Sequence, residues 1–275
     1  MESVLSDGEA MQLLIDDAPF GDLTTSLLVD KPELNIHFYA REDMIVSGVE
    51  EAIQMMRLKN LDVKGFCQSG DKLSQGQHIL SAKGHSSQLF IVWKATQILM
   101  EWMSGVASSA NSMVLSAGDT PVACTRKQTP FTKALSVKAI RSGGAVMHRL
   151  GLSETILVFA EHRQFINYKN PKDMLDYLHK SSPEHKVVLE VHSVEDAKMW
   201  IEAGVEVLQL DKFSIDQVTE CKIHCQNIYS TTRLAIAGGV NPGNVAQYAE
   251  AGADLIVTSA PYYAKPKDIK VVFED

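Results

Sequence analysis

From about residue 120 the apolar positions fall into a repeating rhythm. Short β-branched runs, KVVLEV (186–191), VEVLQLD (205–211), RLAIAGGV (233–240) and ADLIVTSA (253–260), alternate with stretches of helical spacing. SVEDAKMWIEAG (193–204) reads as a helix opened by Ser193, with Asp196 placed as in a capping box. NPGNVAQYAEAG (241–252) reads as a helix with Asn241 as cap and Pro242 in its first position. Segments 202–211 and 250–259 echo one another: each ends a helix at Gly and starts a buried strand three residues later. Such units predict a parallel sheet covered by helices. Because the strands end in polar residues (Asp211; Thr258 and Ser259), a barrel is expected, with its chemistry at the carboxyl ends of the strands.

The first 110 residues follow a different pattern. An amphipathic helix over Gly8–Ile15 precedes LNIHFYAREDMIVSG (34–48), which alternates like strands, and GDKLSQGQHILSAKG (70–84), which reads as short strands joined by turns. SQLFIVWKATQILMEWMSGVASSANSMVLSA (87–117) is a long helical pattern that links the halves. The domains expected are residues 1–110, with the linker helix, and 111–275, whose last strand can return to the first domain.

Composition narrows the partners. The chain has 275 residues, 45% of them hydrophobic, and a net charge of −8. That acidic balance speaks against nucleic-acid or membrane-surface binding. No apolar run is long enough to span a bilayer, and the start of the chain has no basic segment leading into an apolar one, so a cytoplasmic protein without membrane insertion is expected. Cys67, Cys124, Cys221 and Cys225 show no zinc-ligand spacing and read as free thiols.

Against this acidic background, residues 123–151 hold Arg126, Lys127, Lys133, Lys138, Arg141, His148 and Arg149 and no carboxylate. Arg126-Lys127 and His148-Arg149 fall at strand ends and suit an anionic ligand. Lys133, Lys138 and Arg141 lie on the helix between and read as its solvated face. Glu190 sits inside an apolar run, where an unpaired charge is expensive. Asp211 ends a strand and either serves the ligand or caps a helix starting at Ser214. Gly238-Gly239 and Ser259-Ala260 end strands where backbone N–H groups can cradle a phosphate. Cations and glycines suit phosphates; two acids suit Mg2+, sugar hydroxyls or a positive charge developing on a sugar ring.

The motifs GDLTT (21–25), SGVAS (104–108), TRKQTP (125–130), GGAVMHRLGLS (143–153), LEVHSVEDA (189–197), LQLDKF (208–213) and AGGVNPGNVAQYA (237–249) occur in an order that resembles the quinolinate phosphoribosyltransferase family over nearly the whole chain. The resemblance implies an α/β fold: an N-terminal α/β sandwich, then an incomplete α/β barrel of the type II phosphoribosyltransferase kind, assembled as a homodimer. It implies transfer of ribose 5-phosphate from phosphoribosyl pyrophosphate to a ring nitrogen, with Mg2+. Arg126, Lys127, His148 and Arg149 match residues that hold the acidic substrate and the donor. Glu190 and Asp211 match acids near the ribose and Mg2+, bound directly or through water. Ala237, Gly238 and Gly239, with Ser259 and Ala260, match loops that take the ribose phosphate. Lys127, Glu190 and Asp211 are the residues expected to act at the reacting centre, and Lys94 on the linker helix is expected to act across the dimer.

Departures cluster on the acceptor side. Trp93-Lys94 stands where quinolinate enzymes have Glu-Arg, Phe159 where they have a carboxylate-binding lysine, and Ala235 and Ala237 replace a Glu and a Ser. This set is similar to the ModD branch, whose members are encoded with molybdenum transport systems and described as pyrophosphorylases. It implies a heterocyclic acceptor other than quinolinate. Genuine quinolinate transfer, a non-catalytic oxyanion-binding protein of molybdate uptake, and Schiff-base chemistry at Lys127 stay open as alternatives.

Overall fold

A computed structural model describes residues 2–168 and 170–275. In chain order the elements are α1 (Asp7–Asp17), α2 (Leu23–Leu28), β1 (Glu33–Ala40), β2 (Met44–Ile45), α3 (Val49–Arg57), β3 (Asp62–Gly65), β4 (Lys72–Leu73), β5 (His78–His85) and α4 (Ser86–Ala117). There follow β6 (Val122–Cys124), α5 (Lys133–Ser142), β7 (Val146–Met147), β8 (Ile156–Val158), α6 (Ala160–Arg163), α7 (Pro171–Ser181) and β9 (Val187–Val191). The rest are α8 (Val194–Ala203), β10 (Val207–Asp211), α9 (Ile215–Asn227), β11 (Arg233–Ala237), α10 (Val245–Glu250), β12 (Leu255–Thr258) and β13 (Ile269–Glu274).

Two compact units emerge. The first holds residues 1–111, 128–144 and 261–275, and the second holds 112–127 and 145–260. The first unit therefore takes in the C-terminal strand and, beyond the boundary near residue 110 that the sequence pattern suggests, α5. Its main sheet is antiparallel, in the order β13-β1-β5-β3. Strand β1 alternates buried and half-buried positions, so Ile36 and Phe38 enter the core while their neighbours face out. Helix α1 starts one residue before the expected span because Ser6 and Glu9 form a reciprocal capping box.

Helix α5 corrects the reading of its lysines. Lys133 and Arg141 are exposed, but Lys138 is 4% exposed. Its ammonium group lies 2.7 and 2.8 Å from the two Glu51 carboxylate oxygens and 2.8 Å from Glu50 Oε2. It also donates to the Glu2 carbonyl at 2.9 Å. One buried cation thus joins α5, α3 and the N-terminal segment.

Gly143, at the end of α5, is required by packing rather than by its φ of −79°. A Cβ there would collide with the Ala107 carbonyl oxygen and come within 2.7 Å of Ala110 Cβ, both on α4. Gly143→Ala is expected to destabilise the chain by roughly 1–3 kcal/mol, the usual range for overpacking. A urea midpoint equal to that of the parent protein would contradict this contact.

The second unit is a seven-stranded, wholly parallel sheet in the order β7-β6-β12-β11-β10-β9-β8. Edge strands β7 and β8 do not pair with each other, so the barrel is open. Helices α7, α8 and α10 lie against β9, β10 and β12. Two helix starts differ in detail from the sequence reading. Ser193 caps α8 by accepting from the Asp196 N–H, but the Asp196 carboxylate pairs with Arg163 instead of closing the box. Residues 241–244 form a turn rather than the first helical turn, because Asn241 and Asn244 both donate to the Gly239 carbonyl, and α10 starts at Val245. Among the described residues no helix is long and apolar enough to cross a membrane.

Candidate active site

Strand register builds the site. Glu190 pairs with Gln209 and Gln209 with Ala235, while Asp211 pairs with Ala237 and Val257 with Ala123. Side chains alternate across each strand, so one face of the sheet carries Glu190 and His192, Gln209 and Asp211, Ala235 and Ala237, Val257 and Ser259, and Ala123 and Thr125. Ala235, Ala237 and Val257 form a small apolar floor with Val207 and Leu255. The opposite face, with Leu189, Leu208, Leu234, Ile236 and Ile256, is apolar and buried. The sheet thus separates a core face from a face able to do chemistry.

Glu190 and Asp211 meet at His192, which lies within LEVHSVEDA but is not among the candidate residues of the sequence reading. The His192 ring lies 3.7 Å from Glu190 through Nε2 and 3.5 Å from Asp211 through Nδ1. Gln209 donates its amide to Glu190 Oε2 at 2.5 Å. Burial pushes the Glu190 carboxyl above its ordinary range, the Gln209 hydrogen bond opposes this, and Asp211 adds to it. Asp211 does not cap the next helix; Ser214 does so itself. Among the described residues no group of three or more His, Cys, Asp or Glu side chains is arranged to hold a metal. The two carboxylates Glu190 and Asp211 nevertheless offer the oxygen donors that suit Mg2+, which keeps several waters and is often held by only one or two protein carboxylates.

The cations follow β6 and β7. The His148 N–H donates to the Cys124 carbonyl and extends the pairing of these strands. Arg149 is 8% exposed. Burial lowers its pKa, Arg126 lowers it further, and Glu154 works in the other direction. Glu154 spends a carboxylate oxygen on the Leu150 N–H. Burial, helped by Arg149, also pushes the His148 imidazole below its ordinary range, so it is neutral at pH 7. Arg126 and Lys127 are exposed, and the Lys127 N–H donates to Thr125 Oγ1 at 3.2 Å. That hydroxyl also bonds Ser259 Oγ at 2.6 Å, tying the ends of β6 and β12 together.

Gly238 and Gly239 both take positive φ, 83° and 85°. A Cβ on Gly238 would lie 2.6 Å from Asp211 Oδ1, so its glycine makes room for that carboxylate. Nothing lies within 4 Å of a Cβ placed on Gly239, which faces open space. The Ala260 N–H is held by Thr258 Oγ1 at 3.0 Å.

Phe159 follows β8 in extended conformation, φ −84° and ψ 165°. Val158 pairs with Leu189, so Phe159 stands next to Glu190 on the same face. Its ring stacks on His162 with centroids 5.6 Å apart and 24° between planes. Arg163 secures this segment, donating to Asp196 at 3.0 Å and to the Glu190 carbonyl at 3.1 Å. A cavity of about 630 Å3 lies beyond the edge strand, lined by Val158, His162, Phe165, Tyr168 and Tyr177 and by none of the charged site residues. Lys94, in the first unit, is exposed on α4 with its ammonium group 4.3 Å from the Trp93 ring centre and 3.2 Å from Gln97 Oε1.

Two family models match the chain: "Quinolinate phosphoribosyl transferase, N-terminal domain" over residues 22–104 and "Quinolinate phosphoribosyl transferase, C-terminal domain" over residues 106–272. A Pasteurella multocida protein carried under the name "Putative pyrophosphorylase ModD" is 36% identical, with 98% of each chain covered. A protein of the same name from Rhodobacter capsulatus is 39% identical, covering 88% of this chain and 95% of that one. In fold, the chain matches the nicotinate-nucleotide pyrophosphorylase of Francisella tularensis with a TM-score of 0.88 at 20% identity, over the full length of both.

Proposed function

The chain belongs to the quinolinate phosphoribosyltransferase family, and from that membership we propose that it transfers ribose 5-phosphate from phosphoribosyl pyrophosphate to a nitrogen heterocycle. The observation that carries this reading is the sheet face on which Glu190, Asp211 and His192 share a floor of small residues with the Thr125–Ser259 pair. An oxyanion-binding protein gains nothing from two carboxylates, whereas a sugar that becomes cationic in its transition state does.

Arg126, Lys127 and Arg149 hold anionic groups of the acceptor and of the donor, with neutral His148 as a hydrogen-bond partner. The turn at Ala237, Gly238 and Gly239 and the end of β12 at Ser259 and Ala260 receive the 5-phosphate. The bond from ribose C1 to pyrophosphate breaks, the leaving group takes the electron pair, and the acceptor nitrogen forms the new bond to C1. Glu190 and Asp211 stabilise the positive charge on the ring during this exchange, so the protein works by position and field rather than through a covalent intermediate. Asp211 and Glu190 are the residues that would hold Mg2+, which when bound neutralises charge on the departing pyrophosphate.

The active form is a homodimer in this reading, with Lys94 reaching the partner's site. Exposed Phe20, Leu23, Leu27 and Leu28 around α2 support such an apolar contact. Calorimetry with phosphoribosyl pyrophosphate and Mg2+ tests the donor assignment. Binding is expected for the parent protein, weakened about 10- to 100-fold by Arg149→Ala, in line with loss of a charge-assisted contact. Binding of molybdate but not of phosphoribosyl pyrophosphate would reject the reading.

A further inference from the structure

Lys212 holds a backbone conformation that a lysine does not favour. Its φ is +61°, in the left-handed region where a Cβ crowds the following carbonyl. Asn60 and Tyr229 share a positive φ, but each lies in a turn just after a helix, and Phe131 lies in an exposed turn. Lys212 instead follows β10 directly, between Asp211 and Phe213. Its neighbours pin it there. The Lys212 N–H donates to the Ala237 carbonyl at 2.8 Å, Phe213 is 2% exposed, and the Phe213 carbonyl accepts from the Tyr248 hydroxyl at 3.0 Å. Strain that is held so firmly beside a site points to a use for the side chain.

That side chain runs over the turn after β11. A Cβ on Gly238 would lie 2.6 Å from Lys212 Cγ and 2.8 Å from its backbone N, so the lysine stem rests on this glycine. The side chain is 79% exposed, and its ammonium group stands 4.0 Å from Asp211 Oδ2, too far for a hydrogen bond. An exposed ion pair of this kind is worth little and gives no reason for a left-handed backbone. Strand order adds a second observation. Lys212 follows β10, next to β11, whereas Arg126 and Lys127 follow β6, with β12 between. At ~4.8 Å per strand those two cations start about 10 Å from the Ala237–Gly239 turn. The Ser259 hydroxyl on the far side is engaged with Thr125 Oγ1.

We propose that Lys212 is a donor-binding residue, which grips the 5-phosphate at the Ala237–Gly239 turn and leaves Asp211 as it does so. This rests on the phosphoribosyl-transfer reading and adds one residue and one exchange of partners to it. In the structure the ammonium group faces Asp211 and offsets part of its charge. A phosphate of roughly two negative charges in the adjacent turn attracts it more strongly than a single carboxylate does. The stem stays braced on Gly238, and rotation about the outer bonds of the lysine carries the ammonium group across. Asp211 then meets the ribose with its charge uncompensated from that side. The acid is thus strengthened only when a phosphorylated sugar is in place. No covalent bond changes in this exchange.

Calorimetry with Mg2+ and three ligands tests this: phosphoribosyl pyrophosphate, ribose 5-phosphate and inorganic pyrophosphate. Lys212→Met is expected to weaken the two phosphorylated sugars at least about tenfold, as for a lost charge-assisted contact, and pyrophosphate less than about threefold. Lys212→Arg, which keeps the charge, is expected to stay within about threefold of the parent on all three. Lys212→Gly separates backbone from side chain. Glycine is relaxed at positive φ, so its urea midpoint is expected at or above that of the parent, with the same loss of affinity for both sugars. Unchanged affinity for ribose 5-phosphate in the Met and Gly variants overturns the proposal. So does an equal loss for pyrophosphate, a lack of recovery with arginine, or a parent protein that does not bind ribose 5-phosphate. In each of these cases the phosphoribosyl-transfer reading stands as long as the parent binds phosphoribosyl pyrophosphate. If it does not, that reading falls and takes the role of Lys212 with it.

Discussion

Lys138→Met is expected to destabilise the fold by about 3–5 kcal/mol at neutral pH, the range for breaking a buried ion pair from one side. The Glu51 side chain is fully buried and that of Glu50 is 14% exposed, and both lean on this one ammonium group. Without it, the fully buried Glu51 and the largely buried Glu50 lose the cation they share, and burial then favours the protonated form of Glu50 more strongly. The pH dependence therefore separates this from a simple packing defect. In the parent protein, burial opposes ionisation of Glu50, but hydrogen bonds from Lys138 and Ser69 outweigh it and hold the carboxyl below its ordinary 4.5. A depressed folded pKa gives stability that is present above 4.5 and is lost as the pH falls through the folded value. In the variant the Lys138 contribution is gone while the Ser69 hydrogen bonds to Glu50 remain, so acidification costs the variant less stability than it costs the parent. The difference in chemical-denaturation stability should thus be widest near pH 7 and shrink toward pH 4. A deficit constant across that range, or none at all, would show that Lys138 does not carry the charge balance of these helices.

Asp211→Asn is expected to lower kcat for pyrophosphate release by on the order of 10²- to 10³-fold, the range seen when one preorganised electrostatic contact to a transition state is removed. Affinity for the donor in the ground state should change far less, because the full carboxylate matters most when the ribose ring becomes cationic. The substitution keeps the shape of the side chain beside Gly238, so a packing defect is not the expected cause of the loss. Gln209→Leu extends the test to pH. Its amide opposes the rise that burial imposes on Glu190. Losing it should move the acid limb of the kcat/KM profile to higher pH, since Glu190 must be ionised to stabilise the transition state. An unmoved limb would mean that Glu190 is not the titrating group. An Asp211→Asn variant with unchanged kcat would remove Asp211 from the reacting centre.

Much of this site could be read along the chain. Glu190 and Asp211 stood out because a charge within or at the end of an apolar strand needs a reason. The cation pairs stood out because they follow strands in a segment without acids. His192 and Gln209 were accessible by the same logic, each two residues from one of those acids and so on the same face of its strand. Nothing in their residue types forced attention onto them. A glutamine and a histidine are at home on any surface, and only the pairing of β9 with β10 makes them partners of Glu190. The turn at 241–244 shows the limit of local rules. Asn-Pro is a good helix start by propensity, yet two asparagine side chains find the Gly239 carbonyl and delay the helix to Val245.

By itself the sequence determined the alternation of strands and helices, the parallel character of the second unit, the family, and the acids and cations that stand at or near the strand ends. These depend on periodicity and on motifs contained in a few neighbouring residues. Tertiary structure alone decided what Lys138 is for, since its partner Glu51 lies 87 residues away. It also decided which polar strand residues stand together. The physical reason is common to both. Register and burial are set by contacts between segments remote in sequence, and a side chain's charge acquires its meaning only from what those contacts bring beside it.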